Sequence, residues 1–149
     1  MAVVPVTAAN VKVLKPDEAE IQIHVLGAET APGAPVYNHA TDGTVLPASA
    51  GAVGTANAIG IVLADAKTGS TQPFPTGSVV NVLVRGAVGG FDVSARNADT
   101  SIFVSNTAGR LDDAAGTSTI RLGRVVQYKN QGTAPTKYVF IDRNTPARV

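Results

Sequence analysis

The chain predicts an all-β fold, a small barrel or β-tulip-like domain, on three observations. No segment holds a helical apolar period for ten or more residues. Turn signals rich in Gly, Pro, Asn and Asp recur every 8–12 residues between short apolar runs, the spacing of an all-β domain. One strand-and-turn plan also occurs twice. From Tyr37 to Phe103 is 66 positions, as is Gly43 to Gly109; Gly60 to Gly123 is 63, and Val82 to Val139 is 57. The falling offset predicts a degenerate two-fold repeat whose second copy has shorter loops. Two copies are too few for a solenoid.

Residues 2–14 are extended and apolar, with Pro5 near the start and Val3, Val4, Val6, Val11 and Val13 as the large side chains. Proline lacks the N–H a ladder needs, so this is an arm or an edge strand. An apolar arm alone in water either folds back on its own domain or adds a strand to a neighbour's sheet. Lys15-Pro16-Asp17-Glu18 is a turn.

Residues 20–26 alternate: Ile21, Ile23 and Val25 share one face, Glu20, Gln22 and His24 the other. That period predicts a half-buried strand. A loop on Gly27, Pro32, Gly33 and Pro35 leads to a short strand at Val36-Tyr37-Asn38 and a tight turn at Asp42-Gly43. Residues 48–58 are small throughout, a loop with room for one helical turn. A hairpin pattern follows, from the run 58–66 to the run 79–86. Its turn closes on Gly69, and its long tip holds Pro73, Phe74, Pro75 and Gly77. Val80, Val82 and Val84 oppose Asn81, Leu83 and Arg85, which predicts a strand covered on both faces; residues 86–90 allow a bend or bulge.

Phe91-Asp92-Val93 reads as a short strand and residues 95–101 as the connection between halves. The second copy runs from Ile102-Phe103-Val104 through Gly109 and the strand 120–127 to a Gly132 turn and the strand 137–143. Gly123 beside Arg124 suggests a bulge that re-aims the arginine, or a slip of register. The predicted organisation is an extended arm over residues 1–15 and a β domain over 16–143, with halves 33–86 and 100–143. A tail, 144–149, follows.

Charged residues are 15% of the chain, against about 25% in typical domains. So bland a surface favours association, which predicts an assembly whose subunits cover one another. A net charge of +1 gives no electrostatic footprint for nucleic acid. Without cysteine, disulfides and thiolate chemistry are excluded. No signal peptide is visible at the start, and no run approaches the roughly 20 apolar residues of a membrane span.

The search for chemistry assigns no catalytic, cofactor or metal residue, and predicts that the chain is not an enzyme. His24 lies on the polar face of a strand and His39 at a hairpin turn. Ser49, His39 and Asp42 form no nucleophile-elbow pattern. Asp112-Asp113 is the adjacent aspartate pair, without the facing acids of a glycosidase or the alternating ligands of a calcium loop. Asp42 and Asp65 suit turns. No phosphate-binding glycine motif is present.

The stretch Ala58-Ile59-Gly60-Ile61-Val62-Leu63-Ala64-Asp65-Ala66-Lys67-Thr68-Gly69, followed by Val80-Asn81-Val82-Leu83-Val84-Arg85-Gly86, resembles the small head-decoration, or cement, proteins of tailed phages. The likeness includes the entry Gly33-Ala34-Pro35-Val36-Tyr37, the Asp42-Gly43 turn and a second copy through Gly109 and Leu122-Gly123-Arg124-Val125; it covers about residues 20–142. Pro73-Phe74-Pro75 departs from the family's short turn. The resemblance implies a compact β-barrel or β-tulip, assembled in the host cytoplasm and seated on the outer capsid of the virion as a homotrimer. There it would clamp neighbouring major capsid protein subunits, beside neighbouring decoration proteins, against the pressure of packaged DNA. On that reading Val3, Val4, Val6, Val11 and Val13 contact the partner, and loss of residues 2–14 abolishes capsid binding while leaving the domain folded. No nucleic acid, membrane or small-molecule substrate is expected. The second reading is another virion β module, a tail or fibre-base component, or a cell-surface adhesin-type domain.

Overall fold

The computed structural model describes residues 3–67, 72–129, 132 and 135–142. The predicted tail 144–149 and the Thr68-Gly69 turn lie outside these. The fold is all-β, a single sheet curled into a half-barrel. The strands are β1 (Glu20–Val25), β2 (Pro35–Asn38), β3 (Val45–Pro47), β4 (Gly60–Ala66), β5 (Val79–Val88), β6 (Ser101–Val104), β7 (Leu111–Asp112), β8 (Arg121–Tyr128) and β9 (Thr136–Asp142). One helical turn, α1 (Val53–Ala56), sits in the small-residue loop. Phe91 makes an isolated bridge to Val6 in place of the expected short strand.

The strand order is β3-β2-β4-β5-β9-β8-β6-β7, with β1 added to β5. Read from either end, this order is the same when β2, β3, β4 and β5 are matched to β6, β7, β8 and β9. Register follows the order. Val36 faces Gly60 and Ile102 faces Gly123; Asn38 faces Val45 and Val104 faces Leu111. Ile61 faces Leu83 and Arg124 faces Phe140. The sequence offsets of 66, 63 and 57 thus recur, pair by pair, as strand register. At the centre Arg85 faces Asp142, itself a 57-residue offset.

Two glycines show why the chain needs them. A Cβ on Gly60 would collide with the carbonyl oxygen of Leu83, and one on Gly123 with that of Phe140. Both lie where neighbouring backbones approach too closely for a side chain. The turns match as well, with Gly43 at φ 77° and Gly109 at φ 75°, a region only glycine enters freely.

Two apolar clusters hold the fold. The main one joins Val4, Val11, Ile61, Leu83, Ile102, Leu122, Val125 and Ile141. The second joins Leu26, Val36, Val45, Val62, Phe74, Val80 and Val82. The first half is therefore covered on both faces, as the pattern of residues 79–85 predicts. Phe74, from the proline-rich tip, closes the second cluster; Thr30 and Phe74 exchange backbone bonds of 2.9 and 3.0 Å. Leu83 and Val88 both reach the main cluster although they are five positions apart. A regular strand would send them to opposite faces, and the β1–β5 pairing skips Val84 between them, a register shift that restores the face.

Two expectations are corrected. Residues 3–14 do not stand off as an arm. Val4 and Val11 are fully buried in the chain's own core. The backbone is stitched down by Val4 N–H to Leu111 O (2.9 Å), Ala64 N–H to Val11 O (2.8 Å) and Leu14 N–H to Ala87 O (3.0 Å). The first of the two alternatives, folding back, prevails because the half-barrel leaves its own core open along this path. The apolar face of β1 is the other correction. Ile21, Ile23 and Val25 are 43%, 57% and 42% exposed, so alternation does give a strand, but its apolar side is not covered.

Candidate interaction surface

Among the described residues, no group of three or more His, Cys, Asp or Glu could hold a metal ion. His24 and His39 lie apart in local contacts. His24 Nε2 is 2.9 Å from Gln22 Oε1 on β1, and burial beside β5 pushes its pKa below the usual imidazole value. His39 Nδ1 is 3.2 Å from Asp42 Oδ1 in the β2–β3 turn. Asp42 does serve that turn: its Oδ1 accepts the Thr44 hydroxyl at 2.7 Å and the Thr44 N–H at 3.0 Å. These bonds, the hydroxyl's first, hold its carboxyl below the ordinary range. Ser49 donates to the Asn106 carbonyl oxygen and is not brought to His39. Asp112 is buried and accepts the Ala114 N–H, while Asp113 pairs with Arg96 at 3.1 Å.

Of the predicted partner residues, Val4 and Val11 are core. Val3, Val6 and Val13 are half-buried and bridge to Asp112, Phe91 and Val88 of the same chain. They form no common exposed surface.

What the strands bring together instead is the outward face of the second half. Alternation places Tyr138, Phe140 and Asp142 of β9 on the side away from Val139 and Ile141. A register shift at the β6–β8 pairing leaves Leu122 in the core and turns Arg124, Val126 and Tyr128 outward with them. This is the bulge expected beside Gly123. Arg124 lies 4.9 Å from the Phe140 ring centre and Arg85 lies 5.7 Å from it. Lys15 is 4.5 Å above Tyr128, and the Tyr128 and Tyr138 rings are 5.9 Å apart. Three of the chain's seven aromatic residues gather here.

The acids at this surface balance the cations. Asp142 is 3.5 Å from Arg85, Asp99 is 3.9 Å from Arg124 and Glu18 is 4.0 Å from Lys15. A shallow hollow of ≈ 290 Å³ opens between Lys15, Glu18, Arg85, Ala87, Tyr128 and Phe140. Half-buried Tyr, Phe and Arg in paired-charge surroundings are the composition of a protein-binding hot spot. They carry no nucleophile or proton-transfer pair. The sequence signal was present in Arg124 and Phe140, which share the register of Ile61 and Leu83; a charged residue at a repeat position otherwise apolar marks the face left open.

Among the described residues no helix is long and apolar enough to cross a membrane. No family model, curated protein or solved structure matches this chain.

Proposed function

We propose that this chain is a capsid decoration protein, a β-tulip-like module built from a degenerate two-fold repeat that binds the outer surface of a phage head. The observation that carries the reading is the register. The stretches resembling decoration proteins pair as β4 with β5, and their second copies pair as β8 with β9 at unchanged offsets. That shared pairing supports reading the motif as one of paired strands.

In this reading the module clamps neighbouring major capsid protein subunits through the Arg85, Arg124, Tyr128, Tyr138 and Phe140 face, and not through residues 3–14. Aromatic rings give large contact area at low cost in side-chain entropy, and arginine is enriched with them at binding hot spots. A homotrimer presenting three such faces gains by effective concentration what one face lacks in affinity. Internal DNA pressure pulls the bound subunits apart, and each clamp resists that separation.

The test is co-sedimentation with expanded heads of the phage that encodes the chain, with solution mass measured by light scattering. Saturable binding that falls at least tenfold in Arg124→Glu supports the reading. Failure to bind heads at any concentration contradicts it and returns the tail, fibre-base and adhesin alternatives.

A further inference from the structure

β1 is hydrogen-bonded on one side only. Its six residues pair with β5, with one register shift between Glu20 and Ile21 in which the extra residue, Val84, lies on β5, and among the described residues nothing pairs with its other edge. An open edge is a template for another strand, and proteins commonly blunt such edges with Lys, Pro or irregular backbone. The segment Glu20-Ile21-Gln22-Ile23-His24-Val25 has neither Lys nor Pro, and its one carboxylate is Glu20. It leaves three β-branched side chains 42–57% exposed in a row. Burial of β-branched residues beside each other is what stabilises a sheet, and this strand offers them to water.

The strand is complementary to itself. Laid antiparallel on a second copy with Gln22 at the two-fold axis, Ile21 stands opposite Ile23 of the second copy, and Ile23 opposite its Ile21. Glu20 stands opposite His24 of the second copy, a pair of opposite charge when the imidazole is protonated and a charge-assisted hydrogen bond otherwise. Gln22 meets its own equivalent, amide to amide. Within one chain, His24 Nε2 lies 2.9 Å from Gln22 Oε1 along that face. Shifting the axis to Ile23 would put Glu20 opposite Leu26 of the second copy and lose the charge pairing.

We propose that β1 is a homotypic interface, joining two copies of this chain edge to edge in the Gln22-centred register. The partner is fixed by this complementarity: isologous contact requires one surface to match itself, and these five positions do. The proposal is independent of the capsid reading. A two-fold contact does not close a three-fold ring, so where trimers exist it links chains of neighbouring trimers.

The chain has no cysteine, so single-cysteine variants report the contact cleanly in purified protein, without capsids. Facing Cα atoms in an antiparallel pair are within disulfide reach. Gln22→Cys is expected to form a disulfide-linked pair at least tenfold faster than Val53→Cys, a control on an 84% exposed residue. Ile23→Cys is expected to lag behind Gln22→Cys. Glu20→Lys should weaken association about tenfold, and the exchange Glu20→Lys with His24→Glu should restore it. Crosslinking of Gln22→Cys no faster than the control, faster crosslinking at Ile23→Cys, or no rescue by the charge exchange overturns the proposal. Circular dichroism identical to the parent shows that each variant is folded.

Discussion

The two halves of the sheet share register and differ in what covers them. Val36, Val45, Val62 and Val82 of the first half lie in the second cluster. Their equivalents Ile102, Leu111, Val125 and Val139 lie in the main one. Conversely, Ile61 and Leu83 face the main core, while Arg124 and Phe140, at the same register, face outward. One pattern of pairing thus presents opposite faces to a shared core, and the β1–β5 pairing skips one residue of β5, Val84, where the face changes. The lesson is that backbone register and burial separate: register follows the pairing of strands, burial follows the loops. The first half has Leu26 and Phe74 to close its far face; at the second half's outward positions are Arg124, Tyr138 and Phe140, half-buried.

The largest effect that can break this comparison comes from the segment serving both halves. Residues 3–14 bond to Ala64, Ala87, Gly90 and Leu111 and bury Val4 and Val11. Each buried valine contributes roughly 2 kcal/mol, and the stitched backbone adds to it. Their removal is expected to cost more than about 5 kcal/mol, comparable to the whole stability of many domains, and to abolish the cooperative unfolding transition. A truncated chain that melts like the parent would restore a detachable arm.

Next come the paired glycines. Gly60→Ala and Gly123→Ala each drive a methyl into a carbonyl oxygen of the adjacent strand, costing about 3 kcal/mol. Equal losses in urea unfolding sharpen the equivalence of the halves; a loss at one site alone breaks it.

The equivalent pair Leu83 and Phe140 separates register from burial. Leu83→Ala empties a fully buried position and should cost about 3 kcal/mol. Phe140→Ala removes a half-buried ring with two guanidinium neighbours and should cost about 1 kcal/mol. Similar costs at both would mean that the outward face is core after all.

The smallest effect is in the turns. Gly43 and Gly109 match, but Asp42 precedes one and Ala108 the other. The Asp42 carboxyl is held below its ordinary value by Thr44, as Asp92 is by the Ser94 hydroxyl and N–H. A carboxylate with a depressed folded-state pKa stabilises the fold above its unfolded value. That stability is lost as pH falls through the folded one. Asp42→Asn should therefore flatten a small part of the acid limb of melting temperature below pH 4. An unchanged limb contradicts it.

Much of this was legible in the chain. The strands at residues 60–66, 79–88, 121–128 and 136–142 announce themselves by β-branched runs bounded by turns, and Asp42-Gly43 by its turn chemistry. What was not legible depends on contacts distant in sequence. Alternation in β1 says that one face is apolar, not that anything lies over it. A valine-rich start says that the segment needs a partner, not whether that partner is its own core. Phe74 looked like part of an excursion, and only the bridge to Thr30 makes it a lid on the second cluster.

The most direct measurement is hydroxyl-radical footprinting of the chain free and bound to heads, read residue by residue. The account predicts strong protection at Tyr128, Tyr138 and Phe140 on binding, with the buried Phe74 and Phe91 unreactive in both states. Protection confined to the first half, with those three residues unchanged, would contradict it.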